Sequence, residues 1–596
     1  MWQTLKLYLD SIKRFDFTQI YHLLLNRWIK KLLPFSLTYR SSSFHVTDPV
    51  SYQTFHNRFL SLFYCSSDQC FLWDIGINNY GLENHSYQKQ IREKFTLIKE
   101  VGNKENITDI WQQKGKEETL NNLHRFHLFA EECDNLDLSP KIICDLIKSW
   151  IRYYPPSHST AWNSFNATLR LFNWYKLLSV ISREGKQVEA ELWTLIRESI
   201  VEHVRYISDN IEWHVPGNHV LLQLYVIWIS YYLLNADSDM DDWERVHNHL
   251  LDEFFTEYSS SGFHFEFSYH YHVQITLVGL LWIKNLEQTS NPVSKRFKNL
   301  MSKAVSNVES FILPDGTLPM IGDNCYTFFH DSLEKDVENI KELSKGLDFE
   351  VRNKKRKGVV DIENKYVIAS SSESNKLIAN VGNIGLKPNP GHGHSDILSM
   401  IYCSQGQPLF IDPGTFRYEN EEEAMRLKKA EAHNTVTINH EDQAKLWSFF
   451  RWAYLPEEPK YEFEWKDDSI LIKASYRGFK HIGEYFHQRT WKLNNRRLTI
   501  EDKVKGNDEF NVQLNFILSP GVSANHIEEG KNQYVHLERD AARWELYVLG
   551  EMKPIIHIEP FKVYPYYNYA VNSNRIKLEF PSVENKFFAQ LSIENI

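Results

Sequence analysis

The spacing of apolar residues divides the chain into a helical part and a strand-rich part. From about residue 85 to 345, apolar side chains recur at i, i+3, i+4 and i+7, which is the repeat of an amphipathic helix. The clearest examples are AWNSFNATLRLFNWYKLLSVI, ELWTLIRESIVEHVRYISDNI and NHVLLQLYVIWISYYLLN. Successive amphipathic helices of this length predict stacked antiparallel hairpins.

The pattern changes near residue 346, where the charged stretch KGLDFEVRNKKRKG is typical of a linker. Beyond it lie short segments rich in β-branched residues, namely KLIANVG, QPLFIDPG, HNTVTINH, SILIKASY, RRLTIEDKV and FNVQLNFIL. Many short strands without intervening helices predict an antiparallel sandwich. We therefore expect a basic N-terminal helical appendage (1–60), a helical domain (61–350) and a β-sandwich domain (351–596).

Length and composition agree with this α+β multidomain organisation. The chain has 596 residues, more than one hydrophobic core usually supports, and its 24% charged and 42% hydrophobic residues are typical of globular proteins. The net charge of -10 argues against a broad cationic field of the kind that gathers nucleic acid. An anionic partner must therefore meet a local basic patch.

The first forty residues carry seven basic and two acidic side chains. We expect this segment to dock on the main domain; a membrane face or an assembly partner is the alternative. Its apolar runs are broken by charges, unlike those of a signal peptide. No signal peptide is evident, and we expect a location in the bacterial cytoplasm or at the membrane periphery, with export by another route as the alternative.

No stretch of the sequence reaches the roughly 18 apolar residues that a membrane span requires. The closest one, Val220 to Leu234, is interrupted by Gln223 and predicts a buried helix. The six cysteines show neither a C-x-x-C pair nor zinc-finger spacing, so we expect mostly free thiols.

Four segments collect residues suited to chemistry: PGNHV, GFHFEFSYHYH, PDGTLPMIGDN and PGHGHSD. In the last, Gly391 and Gly393 free the backbone beside His392 and His394, as is needed where a chain approaches a ligand or metal. Asp412 follows a strand before a Pro-Gly turn, and His433 opens the next strand. With His394 they make a reasonable zinc set, although isolated His and Asp at strand ends are more often hydrogen-bonded structural residues.

The string NPGHGHSDILSMIYCSQGQPLFIDPGTFRYEN, followed by EAHNTVTINHEDQ, resembles the C-terminal signature of the heparinase II/III family of polysaccharide lyases. GHGHSD, DPGT and AHNTV occur in the order and spacing of that family. Upstream, LNNLHRFHLF, PGNHV, FEFSYHYH and PDGTLPMIGD resemble its helical-domain landmarks. The resemblance covers most of the chain from about residue 70 onward.

The resemblance implies an incomplete α/α toroid followed by an antiparallel β-sandwich, with the cleft between them. By motif position it implies that Asn218 engages a uronate carboxylate, that Tyr271 is the catalytic tyrosine and that His392 is its partner from the sandwich. It also implies a structural zinc ion held by the set described above, namely His394, Asp412 and His433. The substrate would be an acidic polysaccharide cleaved by β-elimination.

The implied chemistry is consistent with the residue types. An amide and an imidazole can stabilise the carbanion formed at C5 of a uronate, and a phenol can carry a proton between C5 and the departing C4 oxygen. If those atoms lie on opposite faces of the sugar, His392 becomes the better base and Tyr271 the acid. Four further residues are candidates for substrate binding: His272, Glu266, Arg451 and Trp447.

Two other functions fit the sequence. A glycoside hydrolase on the same toroid would use Glu266 and Asp323 as acid and base, since paired carboxylates are all that such chemistry requires. A non-catalytic glycan-binding protein of surface-polysaccharide assembly would keep the fold without turnover. Because the helical motifs are poor in basic residues, we expect a weakly sulfated heparan-type glycosaminoglycan or a bacterial capsule or exopolysaccharide as the glycan.

Overall fold

The computed structural model describes residues 51–63, isolated positions between 111 and 129, and residues 140–596 with short gaps, the longest being 184–187, 235–239, 326–331 and 348–357. Most of the predicted N-terminal appendage lies outside the described residues. The helical part contains α1 (Tyr52–Phe63), α2 (Pro140–Tyr153), α3 (Ser164–Arg183), α4 (Ala190–Asp209), α5 (Asn218–Leu233), α6 (Met240–Glu257), α7 (Tyr269–Gln288), α8 (Lys295–Phe311) and α9 (Ser332–Ser344).

Helices buried on nearly all sides alternate along the chain with helices buried on one side. Helices α5 and α7 have almost every side chain buried, whereas α4 and α8 bury one apolar face. An all-round apolar helix needs neighbours on every side, so α5 and α7 belong to the inner layer of the toroid and α4 and α8 to its outer layer. None of the helices in the described part of the chain is long and apolar enough to cross a membrane.

The sandwich contains a five-stranded antiparallel sheet in the order β1-β2-β3-β4-β5, a ten-stranded sheet and a two-stranded sheet. The five-stranded sheet comprises β1 (Gly358–Ile362), β2 (Tyr366–Ser370), β3 (Lys376–Asn380), β4 (Met400–Ser404) and β5 (Gln407–Phe410). The two-stranded sheet is β7 (Lys445–Ser448) with β8 (Arg451–Ala453). The ten-stranded sheet is formed by β6 (Val436–Ile438), β9 (Lys460–Lys466), β10 (Ser469–Gly478), β11 (Tyr485–Leu493), β12 (Arg497–Ile517), β13 (Ser523–Glu529), β14 (Asn532–Arg539), β15 (Ala542–Leu549), β16 (Ile555–Tyr566) and β17 (Tyr569–Asn595).

One expectation about the strands is wrong. The segments RRLTIEDKV and FNVQLNFIL are not two short strands but the two halves of β12. The polar residues between them resemble a turn in sequence, but β12 continues through them and shifts its register against β17 twice, between Lys505 and Glu509 and between Phe510 and Val512. Such shifts mark a β-bulge or a similar irregularity within one strand and not a break between two strands.

The five-stranded sheet forms the middle layer of the molecule. Ile368 and Ile378 pack into the same core as the helices, while Val367 and Leu377, which point to the other face, pack against the ten-stranded sheet. Successive strand residues point to opposite faces, so one sheet joins the two cores. The hydroxyl of Tyr366 also donates to the carbonyl of Phe267, across the junction, over 3.0 Å.

Other expectations concern the linker and the cysteines. The division near residue 350 stays a prediction, because residues 348–357 lie outside the described part of the chain. Within the described part, the cysteines are free thiols as expected: Cys144, Cys325 and Cys403.

Candidate functional site

Residues from both halves meet where the toroid faces the sandwich. Tyr271 lies in the first turn of α7, and His392 lies in the Gly-rich loop after β3. Their ring centroids are 4.6 Å apart. Tyr271 is buried, whereas the side chain of His392 is 25% exposed and so remains accessible to a ligand. The structure therefore brings the predicted tyrosine and its predicted partner histidine together across the domain junction.

Tyr418 adjoins this pair and was missed by the sequence analysis. Its hydroxyl is 3.2 Å from that of Tyr271, and its ring centroid is 6.0 Å from that of His392. The backbone N–H of Tyr418 donates to the hydroxyl of Tyr567 over 2.9 Å, which fixes this segment. Phe450 also packs near the histidine, with its ring centroid 5.8 Å from that of His392. Tyr418 is a single tyrosine in a polar segment, so the sequence alone did not indicate that it would lie beside Tyr271.

Asp323, on the loop between α8 and α9, connects the helical half to three groups of the sandwich. Its carboxylate oxygens lie 2.9 Å from His392 Nδ1 and 2.9 Å from His394 Nε2. Lys428 Nζ is 3.2 Å from both oxygens and also donates to the carbonyl of Gly391 over 2.8 Å. Asp323, His394 and Lys428 are all buried.

The charge of Asp323 follows from these partners. Burial alone would raise its pKa, but the Lys428 ammonium and the hydrogen bonds from His392 and His394 hold the pKa well below its usual range. An ionised carboxylate only accepts hydrogen bonds, so His392 carries a proton on Nδ1. The other ring nitrogen, Nε2, is then the one available to a substrate.

Asn218, the first residue of α5, is linked to the same site through Glu266. Its backbone N–H donates to Glu266 Oε1 over 3.0 Å, and Glu266 Oε2 lies 3.9 Å from His392 Nε2. Asn218 and Glu266 are 5% and 6% exposed. The backbone of Asn218 is therefore connected through Glu266 to the imidazole of His392, next to the phenol of Tyr271.

His219, adjacent to Asn218, is a second residue that the sequence analysis did not select, although PGNHV contains it. Its ring stacks on Phe165 at 3.7 Å between centroids, and its Nδ1 is 2.9 Å from Glu212 Oε2. The side chain is 29% exposed. The sequence signal was present in the motif, but the stacking that fixes this imidazole depends on packing between α3 and α5.

His394, Asp412 and His433 form a buried group that could hold a metal ion, with one ligand atom from each lying within 4.8 Å of the others. His394 Nδ1 and His433 Nε2 are buried without hydrogen-bond partners among the described residues. Burial lowers the pKa of His394 to about 4, as suits a neutral ligand, whereas the Asp412 carboxylate outweighs burial and raises the pKa of His433, so a metal ion would have to displace a proton there. Its second nitrogen faces Asp323, as the outer nitrogen of a metal-bound histidine commonly faces a carboxylate. The residues present therefore fit a metal ion.

The remaining predicted residues are placed differently. His272 is fully buried: its Nδ1 accepts from the backbone N–H of His264, and its Nε2 faces the carbonyl of Ala304. This packing leaves His272 no surface for a substrate. Trp447 and Arg451 are partly exposed on the β7–β8 hairpin, whose turn carries Phe450, and they remain candidates for substrate binding.

This architecture defines a class of two-domain proteins with a helical toroid, a β-sandwich and a site at their junction. Residues 86–343 match the family described as "Heparinase II/III N-terminus", and residues 363–589 match "Heparinase II/III-like, C-terminal". The chain belongs to the heparinase II/III family.

Solved structures show the same fold at low sequence identity. The crystal structure of heparinase III has a TM-score of 0.66 and 16% identity, covering 95% of this chain and 88% of that one. Heparan sulfate lyase HepC from Pedobacter heparinus has a TM-score of 0.55 and 14% identity, covering 97% of this chain and 87% of that one. A search of curated proteins gave no significant match.

Proposed function

We propose that the protein is a polysaccharide lyase that cleaves a uronate-containing acidic glycan by β-elimination. The observation that carries the proposal is the contact between Tyr271 and His392 at the domain junction, with Asn218 linked to the same site through Glu266. In this proposal Tyr271 and His392 supply the acid and the base of the elimination, and the side-chain amide of Asn218 supplies the carboxylate-stabilising group. The family and the lyases with this fold support the same reaction class.

The reaction breaks the C5–H and C4–O bonds of the uronate and forms a C4=C5 double bond. The side-chain amide of Asn218 and the imidazole of His392 would stabilise the negative charge that develops on the carboxylate. In a syn elimination, Tyr271 would react as the phenolate: it takes the C5 proton, passes it to the departing oxygen and is thereby regenerated as the phenolate. In an anti elimination, Nε2 of His392 takes the proton and the Tyr271 hydroxyl protonates the leaving group.

We propose a structural zinc ion on His394, Asp412 and His433. Bound there, the metal would tie together the segments that carry these residues and fix the loop that presents His392. Asp323 already contacts both His392 and His394, so the two neighbouring histidines would be oriented by one carboxylate. Catalysis itself is assigned to the protein side chains.

The favoured substrate is a weakly sulfated heparan-type glycan or a bacterial capsule or exopolysaccharide. Lys428 lies next to the histidine pair but is buried and paired with Asp323, so it offers little net charge to a sulfate group. Dense sulfation would call for unpaired Lys and Arg around the site.

The geometry disfavours the hydrolase alternative. Asp323 is fully buried, ionised and already bonded to three donors, so it has neither the proton of a general acid nor the exposure of a base acting on water. A non-catalytic glycan-binding protein would bind the glycan without cleaving it, so an assay of product formation separates this alternative from a lyase.

The test is a panel of purified glycans followed by ultraviolet absorbance of the unsaturated uronate end. The panel should contain heparan-type chains with and without sulfate, a bacterial exopolysaccharide containing uronate, and a neutral glycan. We expect absorbance to rise with at least one uronate polymer and not with the neutral one. Binding without any product would support the non-catalytic alternative.

A further inference from the structure

Glu266 is a buried residue that precedes α7, and its carboxylate lies at the first residue of the inner helix α5. One oxygen, Oε1, accepts the backbone N–H of Asn218 over 3.0 Å. The other, Oε2, has no hydrogen-bond partner among the described residues, and His392 Nε2 is 3.9 Å away. Since the first N–H groups of a helix lack partners within the helix, a carboxylate here satisfies one of them and also interacts favourably with the helix dipole.

The residue before Asn218 is shaped to admit this carboxylate. Gly217 has a φ of 122°, a conformation that favours glycine. A Cβ on Gly217 would collide with Glu266 Oε1. Glu266 can therefore reach the backbone N–H of Asn218 only because residue 217 has no side chain.

We propose that Glu266 is a positioning residue that holds Asn218 in place, and that it neither transfers a proton nor contacts the substrate carboxylate. This proposal rests on the lyase function proposed above. A buried anion would repel a uronate carboxylate, so direct binding by Glu266 is unfavourable. Its hydrogen bond instead fixes the main chain of Asn218, and with it the amide that must meet the developing charge.

Two substitutions separate positioning from charge. In Glu266→Gln the amide oxygen still accepts the Asn218 N–H, and we expect kcat to fall less than ~10-fold because a neutral acceptor bonds about half as strongly as a charged one. In Glu266→Ala the bond is lost, and we expect kcat to fall about 10²-fold, as when a reacting group is misplaced by ~1 Å, with a smaller change in KM. Gly217→Ala should behave like Glu266→Ala. If Gln is as inactive as Ala, Glu266 acts through its charge or proton and the proposal is wrong.

A double-mutant cycle identifies the residue through which Glu266 acts. In an Asn218→Ala background, adding Glu266→Ala should lower kcat by less than ~3-fold. The hydrogen bond from Asn218 to Glu266, called the clamp below, cannot affect catalysis once the side-chain amide that it positions is absent. In a His392→Ala background, adding Glu266→Ala should lower kcat by the same factor as it does in the wild-type protein. Full cost in the Asn218→Ala background would overturn the proposal. Thermal melts of every variant identify any loss of fold.

Backbone amide exchange tests the clamp without any glycan. We expect Glu266→Ala, but not Glu266→Gln, to accelerate hydrogen exchange at least ~10-fold in the first turn of α5, since the capped N–H becomes free to open. Unchanged exchange in Glu266→Ala would contradict the clamp. If the wild-type protein cleaves no glycan and Glu266→Ala still accelerates exchange, the lyase proposal has failed and the clamp has not.

Discussion

Replacing Asp323 by Asn should destabilise the protein far more than an ordinary surface change. The substitution leaves the shape almost unchanged but removes the charge that faces Lys428, whose side chain is 1% exposed. Breaking a buried ion pair from one side costs about 3–5 kcal/mol, because the remaining charge stays desolvated. The Asn oxygen can still accept one bond, so we expect a loss near the lower end, about 3 kcal/mol.

The assay is urea unfolding at neutral pH, followed through the first cooperative transition. Asp315→Asn is a matched control: Asp315 lies in the same loop, is exposed and accepts hydrogen bonds from the backbone N–H and the hydroxyl of Thr317. We expect this control to change stability by less than ~0.5 kcal/mol. Adding Lys428→Met to Asp323→Asn should restore part of the lost stability, because the unpaired charge is removed. Equal stability of Asp323→Asn and the control would refute the reasoning.

Three further predictions follow from individual side chains. Tyr271→Phe should lower kcat at least ~10²-fold through loss of general acid–base catalysis while retaining the fold, and retention of a tenth of the activity would exclude proton transfer by this residue. His394→Ala should lose bound zinc and melt at a lower temperature, whereas His392→Ala should keep zinc, lose turnover and lose less stability than His394→Ala, because Asp323 keeps its contacts with His394 and Lys428; elemental analysis and thermal melts decide between them. Burial and the neighbouring Glu257 raise the pKa of Glu253 to about 7, so its ionisation costs stability as pH rises from its unfolded pKa near 4.3 to about 7. Glu253→Gln should therefore raise the melting temperature at pH 8 more than at pH 5, and an equal shift at both values would contradict this.

The fold was largely predictable because its patterns are local. The apolar repeats that predicted helices lie in α3, α4 and α5, and the stretch from Val220 to Leu234 falls in a buried helix as expected. The error at β12 has a physical reason: a polar stretch inside a strand looks like a turn unless the partner strand is known. That partner, β17, is distant in the chain.

The site was predictable only in part, because its contacts join distant segments. Motif positions selected Tyr271 and His392, which the structure brings together. Asp323 bonds to a histidine 69 residues away, and Tyr418 reaches a hydroxyl 147 residues away. Such pairings depend on how toroid and sandwich pack, which no local pattern encodes. For the same reason His272, one residue from Tyr271, was indistinguishable in sequence from a cleft residue although it faces the core.

The most direct test of the lyase proposal is cleavage of a uronate polymer in water labelled with heavy oxygen, followed by mass spectrometry of the products. Elimination adds no water, so we expect products that carry no label beyond the reducing-end exchange of the same products when they are placed in labelled water after cleavage, together with a new non-reducing end lighter by one water than a hydrolytic end. Incorporation of one labelled oxygen per cleavage, with saturated ends, would contradict the proposal and identify the protein as a hydrolase.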